Sequence, residues 1–216
     1  MTESYRIVYT GGSGEIVEKK SRFIADIRPV STEEEALAFI EEIRKKYWDA
    51  RHHCYAYILG ERGQYSRCSD DGEPSQTAGR PMLDVLAGEE LTDVCAVVTR
   101  YFGGTLLGTG GLVRAYSGAV KEGLSHCILM EKRLGKKLSV TVDYADVGKV
   151  QYLAAQAGID TLDTVYEADV RFQFLVPIAQ EEAFGKKLTE GTAGRAKIIP
   201  GDLVYYGAGP EGLVVF

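Results

Sequence analysis

The chain has 216 residues, which is long for one compact domain and suits two. A composition of 45% hydrophobic, 10% aromatic and 26% charged residues supplies apolar side chains for buried cores, which excludes disordered, collagen-like and disulfide-scaffold proteins. The formal net charge of −6 excludes a protein that coats nucleic acid through a broad basic surface, but leaves room for a local basic patch.

The first 30 residues predict strands joined by a hairpin turn. Residues 5–9 are apolar and rich in β-forming side chains. The three glycines within residues 11–14 suit the positive φ angles of a turn. Residues 15–30 continue as a strand, so we expect the first strand to pair with the segment that follows the glycines.

A helix and another strand follow. Ser31 and Glu34 have the spacing of a capping box, and the apolar residues after them recur with a helical period as far as Trp48. Residues 51–59 alternate between two sets of side chains, as in a strand.

The middle of the chain predicts a polar loop over residues 60–80 and a helix that begins at Pro81, where the missing N–H is harmless. Residues 94–98 are almost entirely apolar, which is typical of a strand covered on both faces. A glycine-rich stretch then leads into a helix. Its apolar side chains share one face and are Leu112, Ala115, Tyr116, Ala119, Val120 and Leu124.

Residues 131–137 are charged, contain glycine and separate two patterns, so they are the predicted linker. Beyond them the strand and helix patterns follow the order β-α-β-β-α-β, which is that of a ferredoxin-like domain. The sequence therefore predicts an α+β protein with an N-terminal domain over residues 1–132 and a ferredoxin-like domain over residues 136–216.

We expect a cytoplasmic protein. No apolar run approaches the roughly 18 residues that span a membrane, and the first residues lack a signal-peptide pattern. The four cysteines form no Cys-x-x-Cys pair, which suits free thiols in a reducing compartment better than a zinc site or disulfides.

An acidic loop contains the first group of candidate functional residues. Asp70, Asp71 and Glu73 lie within four positions and are the hard oxygen ligands that magnesium prefers. Alternatively, Asp70 and Asp71 hydrogen-bond their own turn and cap the following helix, as short acidic side chains in loops commonly do. No other cofactor is expected.

A glycine-rich turn forms the second group, before the helix that contains Arg114. A turn between a strand and a helix presents free backbone N–H groups at the positive end of the helix dipole, where an anion binds. A Walker site is excluded because Thr109 occupies the position of the lysine, and a dinucleotide fingerprint fails at Val113. Alternatively, the glycines serve backbone geometry alone.

Residues 51–54, Arg-His-His-Cys, suggest a catalytic or metal site, but two ligands are too few for zinc. We expect His52 to be partly buried and His53 to point outward beside Tyr55.

Three segments together resemble the bacterial YigZ branch of the IMPACT family. They are residues 21–25 (SRFIA), residues 70–83 and residues 97–116. The resemblance covers most of residues 1–130, and the remainder is similar to the C-terminal domain of that branch. One departure is Gln76, where the family commonly has glycine.

The resemblance implies a left-handed β-α-β main domain like that of a small-subunit ribosomal protein and of domain IV of elongation factor G. It also implies a tail like the ferredoxin-like domain V, and hence a link to translation or RNA. Eukaryotic relatives restrain an initiation-factor kinase through an additional N-terminal domain. The present sequence starts at the main fold, so we do not expect that role here.

The leading hypothesis is a protein that binds RNA or the ribosome, with a protein partner as an alternative and no DNA specificity or membrane contact expected. The candidate residues for anion and nucleic-acid binding are Arg51, Tyr55, Arg80, Arg100, Tyr101, Gly103, Gly104, Gly108, Gly110, Gly111 and Arg114. The alternative function is an enzyme acting on a phosphorylated small molecule, with the glycines as phosphate cradle and the acidic loop as metal site.

Overall fold

The computed structural model describes residues 1–216. The chain divides into an N-terminal unit of Thr2 and Ser4–Glu131 and a C-terminal unit of Lys132–Phe216 with Met1 and Glu3. The elements up to the boundary are β1 (Ser4–Thr10), β2 (Gly12–Glu18), β3 (Ser21–Pro29), α1 (Glu33–Lys46), β4 (His52–Leu59), β5 (Tyr65–Ser69), α2 (Gly79–Gly88), β6 (Leu91–Thr92), β7 (Val94–Tyr101), α3 (Thr109–Ser125) and β8 (Ile128–Val142).

A five-stranded sheet in the order β2-β3-β7-β4-β5 forms the centre of the N-terminal unit. Both β3 and β4 are antiparallel to β7 between them, so they are parallel to each other and form a β-α-β unit with α1. Outside this sheet, β1 pairs with β6 in parallel.

Helices cover both faces of this sheet. Phe39, Ile40 and Ile43 of α1 pack on one face. The apolar stripes of α2 and α3 pack on the other, where Tyr116 meets Phe23 edge to face. Both the prediction of a doubly covered strand β7 and the predicted stripe of α3 are confirmed.

The predicted hairpin between the first two strands is wrong. β2 pairs with β3, and the turn between them is made by Lys19 and Lys20, whose φ angles of 44° and 66° are positive. The glycines of β2 serve a close approach to α3. A Cβ on Gly12 would lie 2.6 Å from the His126 carbonyl oxygen, and one on Gly14 would lie 2.7 Å from the Glu122 carbonyl carbon.

Two element boundaries also differ from prediction. Helix α1 is capped by Thr32, whose Oγ1 accepts from the Glu35 N–H, so the cap lies one residue beyond Ser31. Helix α2 begins at Gly79, because Asp70 holds the N–H groups before Pro81. The loop predicted for residues 60–80 contains β5, whose exposed side chains give no burial pattern.

The C-terminal unit consists of most of β8 and the elements that follow. These are α4 (Val147–Ala157), β9 (Asp160–Tyr166), β10 (Val170–Pro177), α5 (Glu181–Gly191), β11 (Lys197–Gly209) and β12 (Gly212–Val215), with single 3₁₀ turns before the two helices. The strand order is β9-β10-β8-β11-β12. Its first four strands have the ferredoxin-like order, and β12 adds a hairpin that we did not predict.

Helices α4 and α5 pack on one face of this sheet, where Phe172, Phe174 and Phe184 form the centre of the core. The predicted linker residues 131–137 lie within β8, where Leu134 is buried and Gly135 pairs with Val204. The chain is therefore an α+β protein of two domains, with regular structure where the sequence predicts a linker. No helix has the length and apolar character that crossing a membrane requires.

Candidate functional site

A groove of about 440 Å³ lies at one end of the N-terminal sheet, where β7 ends and β4 begins. His52 pairs with Arg100 across the two strands, so the segment before His52 faces the glycine-rich loop after β7. The lining residues are Asp49, Ala50, Arg51, His52, Arg100, Tyr101, Phe102 and Leu106. Three predicted site residues are thus brought together: Arg51, Arg100 and Tyr101.

The rim of the groove carries an unpaired cation and an anchored phenol. Arg51 is exposed and has no acidic partner. The Tyr101 hydroxyl donates to Asp49 Oδ1 at 2.7 Å. Burial and this carboxylate raise the pKa of Tyr101 to about 12, so the phenol stays neutral. Arg22, paired with Glu15, lies 5.6 Å from the Tyr101 ring.

Arg100 lies beneath the groove as half of a buried ion pair. Its Nη1 is 2.6 Å from Glu73 Oε1, and the two side chains are only 7% and 4% exposed. The Tyr116 hydroxyl donates to the same carboxylate oxygen at 2.8 Å. The guanidinium also lies 5.4 Å from the Phe23 ring and 5.6 Å from the Phe102 ring. Because Glu73 already neutralises the Arg100 guanidinium, Arg100 supports the groove and has little charge left to attract a ligand.

The N-terminus of α3 is an uncapped helix end beside this groove. Gly108 precedes the helix with φ of 71°, no side chain caps it, and its first turn contains no acidic residue. The N–H groups of the first turn lack intrahelical partners. Arg114 is exposed, has no acidic partner, and lies one turn along, with its Nη1 3.7 Å from where a Cβ on Gly110 would be. This arrangement can bind an anion.

The five candidate glycines of the loop have different roles. Gly103 packs against β3, because its N–H donates to Ser21 Oγ at 3.0 Å and a Cβ would lie 2.0 Å from the Lys20 carbonyl carbon. Gly104 and Gly108 have positive φ angles of 83° and 71°. A Cβ on Gly111 would crowd Leu107 at 2.9 Å, whereas Gly110 faces open space apart from Arg114. Backbone geometry therefore explains four of them, and Gly110 leaves the helix end accessible.

The acidic loop does not bring its carboxylates together. Asp70 accepts from the N–H groups of Gln76, Ala78 and Gly79 at 2.8 to 3.0 Å, so it caps α2. Asp71 accepts from the His53 N–H and pairs with Arg44, while Glu73 is buried against Arg100. No group of three or more His, Cys, Asp or Glu side chains could hold a metal.

Gln76, the departure from the family pattern, has a φ of 63°. Glycine adopts that conformation without strain, which explains why a glycine suits this position.

Two further predicted residues lie away from the groove. Tyr55 points to the α1 side of the sheet, where its ring stacks on that of Tyr57 at 6.2 Å. Arg80 is on α2 and pairs with Asp84 at 2.8 Å.

The histidines and the neighbouring cysteine serve the fold. His53 is 7% exposed, contrary to our expectation, because α1 and the Tyr47 carbonyl oxygen cover its face of β4. His52 Nδ1 lies 2.8 Å from the Asp71 carbonyl oxygen. Burial raises the pKa of the Cys54 thiol, which suppresses the thiolate that a nucleophile needs.

The apolar side chains at the groove are functional candidates that the sequence did not predict. Phe102 and Leu106 line the groove while 55% and 82% exposed, and Trp48, which precedes Asp49, is 82% exposed. For Phe102 and Leu106 the sequence signal is a large apolar residue in a segment rich in glycine, where no core position is expected.

Comparison with known proteins identifies two family regions. Residues 19–124 match the Impact N-terminal domain, and residues 140–195 match a domain of unknown function, DUF1949. IMPACT family member YvyE of Bacillus subtilis is 44% identical over 95% of this chain and 94% of its own length. IMPACT family member YigZ of Escherichia coli is 37% identical over 84% and 90%. A crystal structure of a hypothetical protein, 35% identical, superimposes with a TM-score of 0.60 over 92% of this chain and 98% of that one.

Proposed function

The chain belongs to the IMPACT family, and from that premise we propose that it binds RNA or the ribosome through its N-terminal unit, in the regulation of translation. The observation that carries the proposal is the uncapped N-terminus of α3, beside which Arg114 has no acidic partner. Free N–H groups, a helix dipole and an arginine together bind phosphate.

The charges around this end of the sheet support the proposal. Arg51 is a second unpaired cation on the groove, and Lys19 and Lys20 form the exposed turn that packs against Gly103. A local cluster of cations can bind an RNA backbone although the whole chain has a net charge of −6, because charges beyond about 8 Å are screened at physiological salt.

The experiment measures binding of purified ribosomal subunits and of single-stranded RNA as a function of salt. We expect affinity to fall with salt, with a slope of about −0.7 for each phosphate that is neutralised. Arg114→Gln removes one contact, so it lowers affinity and makes the slope shallower by about 0.7. Gly110→Val places a branched side chain over the same N–H groups and lowers affinity as well.

Lys121→Gln is the matched control, because Lys121 is an exposed, unpaired cation on the same helix, away from its N-terminus. It should leave affinity within about twofold, since it removes the same unit charge without touching the free N–H groups at the N-terminus of α3, which we call the α3 anion seat. Equal losses in Lys121→Gln and Arg114→Gln would show that net charge alone drives binding. Absence of binding to RNA and to both subunits at low salt would refute the proposed function.

A further inference from the structure

The apolar side chains around the groove suggest what the RNA contributes besides phosphate. Phe102 is 55% exposed and Leu106 is 82% exposed, and both line the groove. Exposed large apolar groups that gather at a concave site mark a binding surface.

The ring of Phe102 is positioned before any ligand arrives. Its centroid lies 5.6 Å from the Arg100 guanidinium, which is itself fixed by the ion pair with Glu73 and lies 5.4 Å from the Phe23 ring. A buried ion pair with two ring contacts has little rotamer freedom. The ring therefore has a fixed support on one side, which reduces the conformational entropy lost when a base stacks on it.

The cations around the groove are few, so they suit an RNA strand that is bound through a small number of its phosphates. Arg51 lies on its rim, and the anion seat of α3 begins three residues after Leu106, at most about 11 Å along the chain. Arg51 lines the groove and Arg114 lies beside Gly110 in the first turn of α3, and neither has an acidic partner. An aromatic platform beside a short line of cations is the arrangement by which proteins bind unpaired bases.

We infer that the groove binds an unpaired nucleotide of single-stranded RNA, with its base stacked on Phe102 against Leu106 and its backbone reaching Arg51 and the N-terminus of α3. This inference rests on the proposed function and narrows it to one class of RNA. A base inside a duplex has both faces stacked on its neighbours, so it cannot enter the groove. An A-form duplex would make only the phosphate contacts, to Arg51, Arg114 and the N-terminus of α3.

The test compares a short fluorescein-labelled oligoadenylate, alone and annealed to oligouridylate, with the full chain by fluorescence anisotropy. We expect the single strand to bind at least about tenfold more tightly than the duplex, since base stacking on an aromatic ring contributes at about that level. Phe102→Ala should weaken single-strand binding about tenfold and leave the salt slope unchanged, because no charge is removed.

Further variants separate stacking from a loss of structure. Phe102→Trp keeps a ring on Arg100 and should retain the wild-type affinity, and Leu106→Ala should weaken binding without disturbing the ion pair. Leu37→Ala is the matched control, since Leu37 is half exposed on α1 and does not line the groove. Arg51→Gln should keep the preference for single strands while reducing the salt slope by about 0.7.

The outcomes distinguish this inference from the proposed function. Equal affinity for single strand and duplex, or full affinity in both Phe102→Ala and Leu106→Ala, would overturn the inference and leave RNA binding at the α3 anion seat intact. If neither form of RNA nor any ribosomal subunit binds, the proposed function itself fails.

Discussion

Two charges lie under the groove almost out of contact with water. Arg100 and Glu73 are 7% and 4% exposed at the side chain, and the Tyr116 hydroxyl donates to the same carboxylate oxygen as Arg100. Removing two charges from water is costly, and the loss of either member leaves the other charge buried without a partner. The role of the ion pair is to hold the acidic loop, which contains Glu73, against strand β7, next to Phe102.

Glu73→Ala should therefore lower the free energy of unfolding by about 3–5 kcal/mol, since it leaves the Arg100 charge buried without a partner. Urea denaturation followed by circular dichroism measures the change. Asp84→Ala breaks an exposed pair with Arg80, in which the side chains are 64% and 58% exposed, and should change it by less than about 0.5 kcal/mol. A similar fall in the free energy of unfolding in the two variants would show that the Arg100–Glu73 pair is exposed to water in solution.

The sequence identifies residue types better than their partners. It placed Arg51, Arg100 and Tyr101 in one candidate site, and the structure brings them to one groove. It could not show that Arg100 is neutralised by Glu73, 27 positions away, because such a contact depends on how the acidic loop folds over β7. Phe102 and Leu106 were missed for a similar reason, since an apolar residue in a loop can be buried or exposed.

Helix α1 shows how an element boundary depends on one hydrogen bond. Two neighbouring residues, Ser31 and Thr32, are each followed three positions later by a glutamate, so the sequence offers two caps. Thr32 has the extended backbone of a cap, and its Oγ1 accepts from the Glu35 N–H at 3.2 Å. Glu35 in turn accepts from the Ser31 N–H at 2.6 Å.

Thr32→Ala should lower the free energy of unfolding by about 1 kcal/mol, which is the usual loss when a capping hydroxyl is removed. Ser31→Ala is its control and should have an effect within about 0.5 kcal/mol, because only the backbone N–H of Ser31 takes part. Thermal or urea unfolding of the two variants decides between the caps. A larger loss in Ser31→Ala would restore the boundary that we predicted from the sequence.

The sequence predicts the helices and strands whose apolar side chains recur with a regular period. It does not predict the elements that lack such a pattern. The stripe of α3 and the apolar run of β7 each face a core, so their patterns indicate both type and position. Strand β5 has four exposed residues and one half-buried residue, so only its pairing with β4 reveals it. The glycines of residues 11–14 misled us because a close approach of α3 and a turn both require glycine.

The two units contain separate hydrophobic cores. The N-terminal cores lie on the two faces of the sheet β2-β3-β7-β4-β5, and the C-terminal core lies between β8, β10 and the helices α4 and α5. A unit that has its own hydrophobic core can unfold separately, so we expect each of the two units to do so. The groove and the α3 anion seat both belong to the N-terminal unit, so their integrity depends on its cores.

Phe174 allows this independence to be tested, because it is fully buried between Phe172 at 5.5 Å and Phe184 at 5.6 Å. Phe174→Ala should destabilise the C-terminal unit by about 3–5 kcal/mol through lost packing and a cavity. Hydrogen exchange with mass spectrometry resolves the two units by peptide. Exchange should accelerate in peptides from β10 and α5 and stay unchanged in those from β3 and β7.

Phe23→Ala, a matched change in a fully buried phenylalanine of the N-terminal core, should give the reverse pattern and also weaken RNA binding. Faster exchange in both units from either substitution would mean that they unfold together, and the C-terminal unit would then be a structural requirement of the RNA site.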